Sequence, residues 1–110
     1  LAFAGAAGIA EAAVLLDPGI GFGKTLDHNL ALLAALDRIA ALGRPVVLGA
    51  SRKRFLGALL GLERAERRVA GTVATTVLGL TRGAAVFRVH DVAAVRQALA
   101  VFAACGGLEA

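Results

Sequence analysis

The chain has 110 residues, a formal charge of +4 and 58% hydrophobic residues, much of them alanine, enough for one small core and too apolar for a disordered tail. The longest uncharged stretches, such as residues 69–81 between Arg68 and Arg82, are too short to cross a bilayer. Basic residues cluster only at Arg52-Lys53-Arg54 and at 64–68, and no tyrosine or tryptophan is present to stack on bases, so a nucleic-acid-binding module is a distant reading and a local anionic substrate explains a cluster as well.

Residues before Gly8 read as the tail of a helix, and residues 1–10 lack the basic start of a signal peptide. The chain opens on leucine, and a missing upstream part is expected. Ala13–Asp17 (AVLLD) is the first of three continuous apolar runs that read as strands covered on both faces. A single helix is expected over Asp27–Leu42, with Leu30, Leu33, Leu36 and Ile39 on one stripe and Gly43 and Pro45 behind it. The second strand is Pro45–Gly49 (PVVLG). A helix over Val69–Thr81, stopped by Gly83, leads to the third strand, Ala85–His90 (AVFRVH). Asp91 is the expected N-cap of a last helix that continues through Val95, Leu99 and Phe102 to Gly106 and Gly107. Cys105 has no cysteine partner and is expected to be a small buried residue on this helix, in a reducing cytoplasm.

The order β-α-β-α-β-α calls for parallel strands joined by right-handed crossovers. A slice of a (β/α)₈ barrel and a slice of an open doubly wound sheet both fit. In either, ligands bind where strand C-termini meet helix N-termini. At that edge the first strand delivers Asp17 and a glycine-rich turn, the second delivers Gly49 and Ser51–Arg54, and the third carries Arg88 and His90.

Each group has a plain structural reading and a binding one. Asp17 could cap its own turn, or accept paired N–H donors of a ligand with both carboxylate oxygens. Phe22, between glycines, reads as a loop anchor packed inward or as an aromatic wall. Ser51–Arg54 could be a solvated turn. Positive charge at a helix start opposes the dipole, however, so an anionic or carbonyl ligand facing the Ser51 hydroxyl and the Lys53 ammonium is the better account. Arg88 and His90 together suit an anion such as diphosphate. Gly23-Lys24-Thr25 imitates the end of a phosphate-binding loop, but Pro18 stands where its first glycine belongs. No nucleophile with a partnered base is visible, and no Cys/His cluster with metal-ligand spacing.

Residues 17–24 (DPGIGFGK), 49–57 (GASRKRFLG), 71–74 (GT-x-A) and 83–92 (GAAVFRVHDV), with Asn29 between, resemble in order and spacing the motifs of the dihydropteroate synthases, pterin-binding barrel enzymes of folate synthesis. The resemblance implies an α/β fold: the last three βα units of a (β/α)₈ TIM barrel, residues 1–110 being the C-terminal portion of one domain whose N-terminal half is absent. The implied reaction joins 6-hydroxymethyl-7,8-dihydropterin diphosphate to p-aminobenzoate, giving 7,8-dihydropteroate and diphosphate. Asp17, Gly49 and Lys53 would then bind the pterin, and Arg88 and His90 the diphosphate. Phe22, Ser51, Arg52 and Arg54 would border the p-aminobenzoate pocket, where sulfonamides compete; Arg54 stands where serine is common in the family. The resemblance also implies Mg²⁺ held by the missing half, a cytoplasmic homodimer, and no covalent nucleophile. A pterin-dependent methyltransferase of the same superfamily and a non-catalytic pterin-binding paralogue are the alternatives.

Overall fold

The computed structural model describes residues 1–106. A short helix α1 (Ala2–Ala6) and a 3₁₀ turn at Glu11–Ala13 lead to the sheet. The expected strand Ala13–Asp17 is there only as one parallel bridge, Leu16 to Val46. The Leu16 N–H donates to the Pro45 carbonyl (2.9 Å) and the Val47 N–H to the Leu16 carbonyl (2.8 Å). Pairing stops there because the 3₁₀ turn occupies the residues before it, and Pro18 beyond has no N–H to give.

Strands β1 (Val46–Leu48) and β2 (Ala84–Phe87) pair in parallel, Val46 with Ala84 and Leu48 with Phe87, with an irregularity after Val46. The third expected strand is thus shorter than Ala85–His90. Arg88 continues the pairing by donating its N–H to the Leu48 carbonyl (3.1 Å), whereas Val89 and His90 leave the sheet.

Helices flank this sheet. The one helix expected over 27–42 is two: α2 (Leu26–Ala34) and α3 (Leu36–Ala40), broken at Ala35. Between β1 and β2 run α4 (Arg54–Leu60), a 3₁₀ turn at Ala65–Arg67 and α5 (Val69–Thr81). The last helix is α6 (Val92–Ala104); Gly107, its expected terminus, lies outside the described residues. Cys105, expected to be buried, follows the last turn of α6 and is exposed. No helix among the described residues is long and apolar enough to cross a membrane.

The core joins Ile20, Leu33, Leu36, Phe55 and Leu56 to Val46 and Leu48 of β1. Helix α5 reaches this core with threonines: Thr72, Thr75 and Thr76 are buried. Each hydroxyl donates to the carbonyl four residues back, at 2.8–2.9 Å, so no donor is stranded. Gly79 closes the contact, since a Cβ there would stand 2.5 Å from Leu48 Cδ2. Close seating of α5 on β1 fixes where the segments after β1 and β2 emerge, side by side at one edge.

Candidate functional site

Three segments meet at that edge: residues 17–24, 49–54 and 88–91. The first is a glycine-rich loop held from below. Asn29, buried on α2, accepts the Gly21 N–H through Oδ1 (2.8 Å). The Lys24 ammonium donates to the carbonyls of Gly19 (2.8 Å) and Phe22 (3.0 Å), so the lysine that imitates a phosphate-binding loop is a clasp across its own turn. Gly21 has φ +88°, and a Cβ on it would meet the Lys53 stem at 2.9 Å. Asp17 is exposed and makes the bond its structural reading foresaw, Oδ1 accepting the Gly19 N–H (2.8 Å).

Lys53 sits at the centre. It precedes α4, donates its ammonium to the Ile20 carbonyl, and lies 4.4 Å from the centre of the Phe22 ring. Burial, then the positive charges of Arg88 and Lys24, hold this ammonium below the usual lysine value, while Asp17 pulls it back up. Phe22 is therefore not packed inward: it is 66% exposed, and its ring face serves the lysine.

A cavity of about 300 Å³ is lined by Gly49, Ser51, Lys53, Arg88, Val89 and His90. Gly49 is needed because the Arg88 guanidinium crosses it; a Cβ at that position would stand 2.4 Å from Nη2. Ser51, expected beside Arg54, is buried on the other side with His90. It accepts the His90 N–H through Oγ (3.1 Å) and shares a 2.8 Å hydrogen bond with His90 Nδ1. That leaves Nε2 as the ring nitrogen able to meet a ligand. The cavity thus gathers an ammonium, a guanidinium and an imidazole, and no carboxylate lines it.

A larger cavity, about 730 Å³, shares Lys53 as a wall and is bordered by Gly21, Gly23, Lys24, Arg54, Phe55 and others. Phe22 and Ser51 do not border it. Arg52 does, but its guanidinium is taken by Asp91, Nε to Oδ2 at 2.9 Å and Nη2 to Oδ1 at 2.6 Å. Asp91 does precede α6 as its cap residue, yet its carboxylate makes no capping bond because Arg52 holds both oxygens. That pairing keeps the Asp91 carboxyl below the usual carboxylate range.

The roles of two residues central to this geometry escape a reading of the sequence. Arg68 is buried and donates to the carbonyls of Leu62 (2.9 Å), Glu63 (2.6 Å) and Arg52 (2.9 Å). Thr72 Oγ1 accepts the Arg52 N–H at 2.9 Å. Polar positions 72, 75 and 76 on one face of an otherwise apolar helix were the available signal. As for metal, no group of three or more His, Cys, Asp or Glu side chains converges among the described residues.

The sequence matches the family described as pterin binding enzyme over residues 2–90. The chain belongs to this pterin-binding family. Among its pterin-binding relatives, a dihydropteroate synthase of Clostridium beijerinckii is 52% identical over 78% of this chain and 32% of its own length. One from Neisseria meningitidis serogroup B is 47% identical over 92% of this chain and 36% of its own. The dihydropteroate synthase of Xanthomonas albilineans, solved in complex with 7,8-dihydropteroate and also with 4-aminobenzoic acid, superposes with a TM-score of 0.93 at 50% identity. In the first of these complexes the superposition covers 96% of this chain and 42% of that one. The chain spans about a third of the length of the curated relatives it matches.

Proposed function

We propose that this chain supplies the last three βα units of a dihydropteroate synthase barrel. The whole protein would condense 6-hydroxymethyl-7,8-dihydropterin diphosphate with p-aminobenzoate, in the cytoplasm and as a homodimer. The observation that carries the reading is the convergence of Lys53, Arg88 and His90 on one small cavity beside the Asp17 loop. The names of its relatives agree with it.

In this reaction the arylamine nitrogen attacks the pterin methylene carbon. The bond from that carbon to the diphosphate oxygen breaks, its electron pair leaves with diphosphate, and the nitrogen sheds a proton. The main electrostatic task is to stabilise the departing anion. Arg88 and His90 Nε2 meet that charge, and their positions are set in advance by Gly49 and Ser51. Lys53 stands between the two cavities and donates to the pterin, while the second oxygen of Asp17 accepts its N–H groups. Arg54, exposed at the start of α4 on the larger cavity, receives the p-aminobenzoate carboxylate. Magnesium, which the family implies, would be held by residues outside this chain, and none of these steps runs through it.

The test is to fuse this chain behind the N-terminal part of the Xanthomonas albilineans synthase. The fusion should form dihydropteroate, and Arg88→Ala should cut turnover about 100-fold or more, as losing one preorganised donor to a developing anion does. A folded fusion without turnover overturns the reading.

A further inference from the structure

Arg52 has φ +56°, a left-handed backbone that no other described non-glycine residue adopts. Such a conformation persists only where its surroundings over-determine it. Here they do. The Arg52 N–H is taken by Thr72, its carbonyl by Arg68, and its guanidinium by both oxygens of Asp91. The residues on either side, Ser51 and Lys53, both line the smaller cavity. The residue before Asp91 is His90, which lines the same cavity. The ion pair therefore ties the turn after β1 to the turn after β2 at the two points from which Lys53 and His90 project. It is partly shielded, with side-chain exposures of 28% for Arg52 and 15% for Asp91. A two-pronged arginine–carboxylate pair fixes orientation as well as distance, which a lysine in its place would not.

We propose that the Arg52–Asp91 pair is a latch that sets the gap between Lys53 and His90, and that both are positioning residues for the leaving-group site. The proposal rests on the reading of that cavity as a diphosphate site. It goes further in giving Arg52 a role unlike that of a pocket wall: its charge is spent on Asp91, and what it contributes is the placement of its neighbours.

The experiment uses the full-length protein that carries this chain, with Arg52→Lys, Arg52→Gly, Asp91→Asn and the Arg52→Lys/Asp91→Asn double variant. Glycine relieves the left-handed backbone while removing the fork, so it separates strain from the latch. Each single variant should fold and lose about 10- to 100-fold in kcat/KM for the pterin diphosphate, mostly in kcat, as small misplacements of reacting groups do. Affinity for a pterin without diphosphate, which feels the latch through Lys53 alone, should fall by much less than kcat/KM, and the double variant should be no worse than the worse single one. Unchanged kcat/KM overturns the latch, as do losses that multiply in the double variant or an equal loss of diphosphate-free pterin binding. Variants that fail to fold also overturn it, by showing that the pair serves folding. Inorganic diphosphate titrated into the same proteins keeps the two ideas apart. Diphosphate binding that Asp91→Asn weakens, in a protein without synthase activity, would sink the synthase reading and leave the latch standing.

Discussion

Asp17 makes the turn-capping bond of its structural reading, and its geometry leaves room for the binding one. One carboxylate oxygen caps the turn through the Gly19 N–H, and the residue remains exposed at the site edge with the other oxygen open to a ligand. Asp17→Asn separates the roles, because asparagine can keep the cap through its carbonyl oxygen while turning an N–H₂ group toward the ligand. The expected outcome is an unchanged melting temperature with pterin affinity weakened by about 1.5–3 kcal/mol, the usual worth of a hydrogen bond to a charged group. Calorimetric titration of a pterin into the folded variant checks it; unchanged affinity would leave Asp17 as a turn cap alone. Lys53, Arg88 and His90 were legible as one group because Arg88 and His90 stand in the last residues of a predicted strand and Lys53 just beyond the end of another. That Ser51 faces His90 while Arg54 borders the other cavity was not, since residues three apart in a turn have no fixed common face. The larger gap is Arg52. Sequence gives it a charge, whereas the fold gives that charge to Asp91, 39 positions away.

Among the elements, the bounds of α5 and the sites of β1 and β2 follow from local pattern, because each is a short apolar run closed by glycine, proline or a charged residue. The break at Ala35 does not. The apolar stripe runs straight through it, but Arg82, at the far end of α5, donates to the Ala34 carbonyl and thereby satisfies the end of α2. A contact across 48 positions leaves no mark on the local period. Likewise, among the described residues Leu16 alone of the expected first strand pairs, because pairing needs partners that local propensity does not count. Thr72 links this scale to the site, since it lies on α5, is 1% exposed, and holds the Arg52 N–H. Thr72→Val keeps shape and branching but leaves that N–H without its acceptor. It should destabilise the protein by about 1–3 kcal/mol, the penalty for an orphaned polar group. Turnover should fall with it, because the left-handed turn at Arg52 loses one of its supports. Denaturant melts beside kcat/KM measure both, and a variant as stable and as active as the parent would show that Thr72 only fills space.

At the scale of the whole molecule, the described residues form a slab rather than a ball, 43 × 36 × 21 Å, with a Cα radius of gyration of 14.7 Å. A compact domain of about 100 residues has a radius near 13 Å. The flatness has a sequence origin, because residues patterned for burial are uncovered here. Phe3 is 88% exposed, Leu15 51% and Val86 43%, and β2 pairs only with β1 among the described residues. An open strand edge beside exposed apolar side chains is a surface that seeks a partner. In the proposed barrel the remaining strands supply it, and the same strands close the far side of the pterin pocket. Made alone, the chain should therefore sediment as species heavier than one copy, or partly unfold, and should form no dihydropteroate from the two substrates. Mixing it with the separately expressed N-terminal part of a close relative should yield one defined complex with the two chains in equal numbers and restore turnover. Ultracentrifugation and a product assay on the same samples decide the matter. A stable monomer of this chain with robust activity of its own would show that the slab is complete as it stands and that the barrel reading is wrong.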